Sequence, residues 1–222
     1  MKGVCVMILL MTDYILVFEL IGTVAFAISG ASVGLRSRTD LFGVLALGIV
    51  TATGGGVIRD LVLGIIPPSA FTDPIYVITA AVSSAIVFAV AYLKSRHPSN
   101  LNLENWKQLL LIMDSIGLGI FTVVGVHSAI SRFGTGNGFL CVFSGLVTGV
   151  GGGLMRDMMV DRLPDIFRKH VYAVASIIGA EVCLIFCRLN LTSLSIAAGA
   201  AVIVVIRILA AHFQWNLPRI EQ

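Results

Sequence analysis

Two short stretches place arginine beside aspartate inside long apolar runs, Arg59-Asp60 and Arg156-Asp157, each preceded by a glycine triplet, Gly54-Gly55-Gly56 and Gly151-Gly152-Gly153. A charge in the middle of an apolar helix costs ~2.5–3.5 kcal/mol on insertion scales, so such residues face a bundle interior or water. Each glycine costs about 1 kcal/mol of helix propensity relative to alanine. Three in a row predict a kink or an unwound turn, and its freed carbonyls could ligate a cation. Unwound backbone survives at membrane depth only when buried in protein or facing a watery cavity. The competing reading is close helix packing through small residues. A phosphate-binding loop is the weakest of three readings, because neither triplet continues into Gly-Lys-Ser/Thr or follows a strand.

Neighbouring residues on a helix do not face one another. Each arginine is therefore expected to reach freed carbonyls or an acid of the other half, rather than the aspartate next to it. Asp60 and Asp157 are expected just after the break, at a new helix N-terminus that favours an anion. A purely structural ion pair that locks the kinks without meeting a permeant ion is the alternative. Three more acids lie in apolar runs, Glu19, Asp114 and Glu181. Glu19 precedes Gly22 by three residues and Asp114 precedes Gly119 by five. Both could form a negative vestibule for cations, or Asp114, near a helix end, could simply be solvated. Glu181 is expected to pair with Arg207. Thr51, Thr148 and Ser144 could line a path with hydroxyls or bond their own preceding carbonyls. His127 reads as a hydrogen-bonded packing residue. Cys183 and Cys187 share a helical face, but no histidine or acid follows them at metal-site spacing, so they read as small packing residues and no metal or cofactor is expected. No catalytic motif appears, neither His-Glu-x-x-His nor Gly-x-Ser-x-Gly, and an enzyme is not expected.

The elements that must carry these residues are membrane helices. Of 222 residues, 57% are hydrophobic and 12% charged, about half the charge of an ordinary soluble chain. A soluble enzyme, a disordered chain and a nucleic-acid-binding domain are excluded. Apolar runs of spanning length occur seven times, at about Tyr14–Leu35, Leu41–Ile66, Ile75–Leu93, Gln108–Ile130, Gly138–Val160, Val171–Arg188 and Leu191–His212. They are continuous and twice the length of barrel strands, so helices are expected. Met1 to Met11 reads as an extension of the first helix rather than a signal peptide, since no small-residue cleavage site follows. With the N-terminus outside, Arg36, Arg38, Lys94, Arg96, Lys107, Arg162, Arg168, Lys169 and Arg219 fall inside and only Lys2, Arg132 and Arg188 outside. The basic residues thus favour N-terminus out and C-terminus in.

The chain also repeats itself. Gly48-Ile-Val-Thr-Ala-Thr-Gly-Gly-Gly-Val-Ile-Arg-Asp60 returns 97 residues later as Gly145-Leu-Val-Thr-Gly-Val-Gly-Gly-Gly-Leu-Met-Arg-Asp157, with eight of thirteen positions identical. The same offset pairs Gly22 with Gly119 and Pro67 with Pro164. Three spans per unit is an odd number, so the second copy should enter the membrane upside down. The expected fold is all-α: one membrane domain, repeat one about 14–95, repeat two about 108–188, and a seventh helix at about 191–212. Such inverted repeats place a substrate or ion path at the repeat interface.

The doubled Gly-Gly-Gly-x-x-Arg-Asp motif resembles the prokaryotic branch of the trimeric intracellular cation (TRIC) channels, a group also labelled glycine transporter domains. So do Gly22-Thr-Val-Ala-Phe-Ala-Ile-Ser-Gly30-Ala, Asp40-Leu-Phe-Gly43 and Asp114-Ser-Ile-Gly117-Leu-Gly119-Ile-Phe121, and the likeness extends from about Tyr14 to His212. The resemblance implies a homotrimer in a bacterial inner membrane, surrounded by lipid, with a pore in each subunit. It implies passage of monovalent cations, chiefly potassium, along the kinked second and fifth spans. The Lys-Glu-Val motif of animal members is absent. A secondary transporter of glycine or another small amino acid is the alternative.

Overall fold

The computed structural model describes residues 2–95, 103–168 and 171–215. Arg96, Lys169 and Arg219, counted above for orientation, lie outside them. Among the described residues the chain is all helix: α1 (Lys2–Arg36), α2 (Leu41–Val62), α3 (Ser69–Thr72), α4 (Ile75–Ser95), α5 (Leu103–Phe133), α6 (Gly138–Met159), α7 (Asp165–Arg168), α8 (Tyr172–Arg188) and α9 (Thr192–His212). The long helices coincide with the seven apolar runs, most ends moving by a few residues. The four-residue helices α3 and α7 were not expected. Among the described residues, six helices are long and apolar enough to cross a membrane; α8, at 17 residues, is the shortest of the long ones.

Local chemistry sets the starts of α2 and α6. The Asp40 carboxylate accepts from Gly43 N at 2.8 Å, and the Asn137 side chain accepts from Leu140 N at 3.0 Å. Each satisfies an amide that has no intrahelical partner. Asp40 and Asn137 are themselves 97 residues apart. Packing follows the same 97-residue offset: α1, α2 and α4 touch one another as α5, α6 and α8 do, and α9 lies against α5 and α8. The spanning part of α5 is 72% buried and that of α4 only 11%. Thus α5 is the central post, and α4 presents Ile78, Val82 and Ile86 outward. The core gathers Phe26, Leu118, Phe121, Val150, Tyr172 and Ile203 from five of the long helices. The Phe26 and Phe121 rings meet tilted, 5.2 Å between centroids.

The glycine triplets do not break their helices. Both α2 and α6 are helical throughout, so the unwound turn expected from the sequence is absent and no run of carbonyls is released. The glycines serve contact instead. A Cβ on Gly55 would strike the Thr148 carbonyl oxygen, and a Cβ on Gly152 would strike the Thr51 carbonyl oxygen. Pairing Thr51 with Gly152 and Gly55 with Thr148 makes the crossing antiparallel, and the two contacts are images of each other under the 97-residue offset. At this point α2 and α6 touch backbone to backbone, which only glycine permits.

Gly55→Ala or Gly152→Ala should therefore destabilise the fold by about 1–3 kcal/mol, the usual range for overpacking. Gly136→Ala, whose added Cβ meets nothing within 4 Å, should leave stability unchanged. Thermal unfolding in detergent compares them, and equal midpoints would refute the backbone contact.

Candidate functional site

Arg59 and Arg156 each lie four residues beyond the crossing glycine, about 6 Å along a helix. Because α2 and α6 run oppositely, the two arginines stand on opposite sides of the crossing. Each organises an ionic cluster in the last turn of its helix.

The first cluster is built on Arg59. Its Nε donates to Asp60 Oδ1 at 2.8 Å, and Nη1 lies 3.7 Å from Glu19 Oε1 on α1. Glu19 Oε2 accepts from the Tyr76 hydroxyl of α4 at 2.5 Å. The second carboxylate oxygen of Asp60 accepts from Ser69 N, the first amide of α3, at 2.7 Å. The cluster borders a cavity of about 400 Å³ whose walls include Glu19, Arg59, Asp60, Tyr76, Ser128 and Arg132. Arg132, at the end of α5, donates to Gly64 O at 3.2 Å.

The second cluster repeats this plan and closes it. Arg156 Nε donates to Asp157 Oδ1 at 2.8 Å, and Nη1 donates to Asp114 Oδ1 of α5 at 2.7 Å. Asp157 Oδ2 accepts from Asp165 N, the first amide of α7, at 3.0 Å. Ser29 of α1 accepts from Arg156 Nη1 at 2.6 Å. Arg207 of α9 lies 3.6 Å from Asp114 Oδ2 and its guanidinium sits 4.4 Å above the Tyr172 ring. Arg156 and Arg207 are each 1% exposed. Among the described buried residues, the Arg156 and Arg207 guanidinium groups balance the Asp114 and Asp157 carboxylates.

Several expectations are corrected by this geometry. Each arginine does bond the aspartate next to it, because the long side chain curls back to the adjacent carboxylate even though the two residues point to different faces. Each also takes an acid of its own half, not the other. Asp60 and Asp157 stand at the end of a continuous helix, not after a break, and each reaches forward to the first amide of the next short helix. Asp114 is buried, 3% exposed, rather than solvated. Glu181 is exposed on α8 and does not face Arg207. Antiparallel packing sets Gly179 against Gly199 and Ile203, which carries Arg207 toward Tyr172. Thr51 and Thr148 are fully buried and bond their own preceding carbonyls, Leu47 O at 2.5 Å and Ser144 O at 2.6 Å. Ser144 donates to Gly125 O at 2.9 Å.

Sequence reasoning missed Tyr76, Tyr172 and Ser29. A faint signal exists for the tyrosines: the offset carries Tyr76 to position 173, one residue from Tyr172. Removing one partner of a buried ion pair costs about 3–5 kcal/mol because the other charge is stranded. Arg156→Ala should thus lower the unfolding midpoint well below that of Arg59→Ala, whose acid Glu19 borders the cavity. Lys94→Ala, on the exposed end of α4, should have no effect. Equal midpoints for the two arginine variants would contradict the difference in enclosure.

Comparison with known proteins agrees with this architecture. The family model described as "Glycine transporter" matches two stretches, residues 16–92 and 111–188. A UPF0126 membrane protein of Deinococcus radiodurans is 37% identical over 199 residues, 89% of this chain and 87% of that one. The UPF0126 inner membrane protein YadS of Escherichia coli K12 is 35% identical, covering 90% and 91%. Among solved structures, one described as the structural basis for conductance through TRIC cation channels is 36% identical, with a TM-score of 0.79 over 93% of this chain and 97% of that one. The TRIC orthologue of Rhodobacter sphaeroides is 27% identical, with a TM-score of 0.81 over 91% and 99%. The chain is an all-helical membrane protein that belongs to the prokaryotic TRIC family, the group whose sequence model carries the description glycine transporter.

Proposed function

We propose that this protein is a passive channel for monovalent cations, chiefly potassium, with one conduction path in each subunit of a homotrimer. The observation that carries the reading is the 36% identity and 0.79 TM-score to a structure described as a conducting TRIC cation channel. The path enters the cavity beside Glu19 and Asp60, passes along the crossing of α2 and α6, and leaves near the Arg156 cluster. Glu19 supplies negative potential at the mouth, while Arg59 and Arg156 brace the ends of the two helices. The glycines let the crossing helices approach closely.

In this reading seven helices span the bilayer as two inverted three-helix repeats with α9 added, the N-terminus lies outside, and the C-terminus faces the cytoplasm. The antiparallel crossing and the reciprocal contacts support the inversion. The exposed apolar face of α4 meets lipid or a neighbouring subunit. A second reading, transport of glycine or a similar amino acid, draws on the family model's description.

Potassium flux from liposomes holding the purified protein should be voltage-driven and insensitive to external glycine. Glu19→Gln should lower it several-fold while leaving the protein folded. Saturable uptake of labelled glycine with counterflow, and no potassium flux, would replace the channel by the transporter.

A further inference from the structure

Away from both arginine clusters, two helices bring together a set of soft ligands. His127 of α5, Cys183 and Cys187 of α8 offer Nε2 and two Sγ atoms that all lie within 4.8 Å of one another. His127 is 7% exposed, Cys183 0% and Cys187 9%. Cys141, Cys183 and Cys187 are free thiols. The two cysteines are four apart on one helix face, but the histidine is 60 residues from Cys187, so the set exists only in the fold. Cys187 Sγ stands 3.7 Å from His127 Nε2. Zinc held tetrahedrally at Zn–S ≈ 2.3 Å and Zn–N ≈ 2.0–2.1 Å would set these atoms about 3.5 Å apart. The Cys187–His127 pair is therefore within a few tenths of an ångström of that spacing, and no pair of the three ligand atoms exceeds 4.8 Å.

A fourth donor is in place. Ser195, in the first turn of α9, lies 2.9 Å from His127 Nε2 and 3.3 Å from Cys187 Sγ. Its hydroxyl can donate to Thr192 O, 2.6 Å away, which leaves its lone pairs for the cluster.

We propose that His127, Cys183, Cys187 and Ser195 form a binding site for zinc that pins α9 and α8 to α5. Binding converts two thiols to thiolates and releases two protons: Zn²⁺ joins two Cys–S⁻ and a neutral imidazole. The divalent ion and two thiolates sum to zero, which suits a site buried in an apolar bundle, where net charge is costly. Copper(I) with the same ligands would leave a net negative charge. The site is independent of the conduction reading, since none of its residues borders the Glu19 cavity or the Arg156 cluster.

The test uses the purified full-length protein, kept reduced, incubated with zinc sulfate and desalted. Wild type should retain one zinc per chain, and its unfolding midpoint should rise with zinc and fall back with chelator. Cys183→Ser, Cys187→Ser and His127→Gln should lose the retained zinc, while Cys141→Ser keeps it. Cobalt(II) in place of zinc should give wild type a thiolate-to-cobalt charge-transfer band, absent from the two cysteine variants. No retained zinc in wild type, equal loss in Cys141→Ser, or a cobalt spectrum without thiolate bands would overturn the site. Should a variant fail to fold, the wild-type cobalt spectrum and zinc count decide alone.

Discussion

Two glycines and two carbonyls set the spacing on which the rest of the bundle depends. Where α2 and α6 cross, Gly55 lies under the Thr148 carbonyl and Gly152 under the Thr51 carbonyl. Lipid offers no hydrophobic drive to bring spans together, so helices in a membrane hold by close packing and hydrogen bonds. A backbone-to-backbone crossing provides the closest packing available. It also fixes the register of the two helices, and through it the positions of Arg59 and Arg156 on either side. Thr51 and Thr148 keep their hydroxyls within their own helices, so the crossing adds no unpaired polar group.

The clusters at the two ends answer a common electrostatic problem in different ways. Each arginine is held by the adjacent aspartate and by an acid on the first helix of its half, and each aspartate spends its second oxygen on the first amide of the following short helix. Around Arg59 the acid is Glu19, steadied by Tyr76 and bordering a cavity. Around Arg156 the acid is Asp114, enclosed by Ser29, Arg207 and Tyr172. One end admits solvent-sized species; the other is sealed by side chains from α1, α8 and α9. A path between them would meet an open acid first and a neutral lock last.

Much of this was legible in the sequence because apolar length and the 97-residue repeat are direct physical signals. The long helices follow the hydrophobic runs, and the Gly-Gly-Gly-x-x-Arg-Asp copies mark the crossing and both clusters. What was not legible depends on approach in three dimensions. Glycine propensity argues for a broken helix, yet α2 and α6 stay unbroken, with a neighbouring backbone filling the place of the missing side chains. The rule that adjacent helical residues diverge holds for short side chains but not for arginine, whose reach returns it to Asp60 or Asp157. Arg207 is drawn to Asp114 rather than Glu181 by the register of α8 against α9, which no spacing along the chain encodes. The short helices α3 and α7 are too brief to leave a periodic pattern. His127 looked like a lone packing residue until the fold set it beside two cysteines.

The reciprocity of the crossing also bears on how the chain can change. Gly55 is matched not to its own copy's threonine but to Thr148, and Gly152 to Thr51. A bulkier residue in either half therefore collides with backbone supplied by the other, which cannot retreat by swapping a side chain. The two segments differ at many positions related by the 97-residue offset, as Asp40 against Asn137 illustrates, but at this seam a larger residue in either meets backbone supplied by the other.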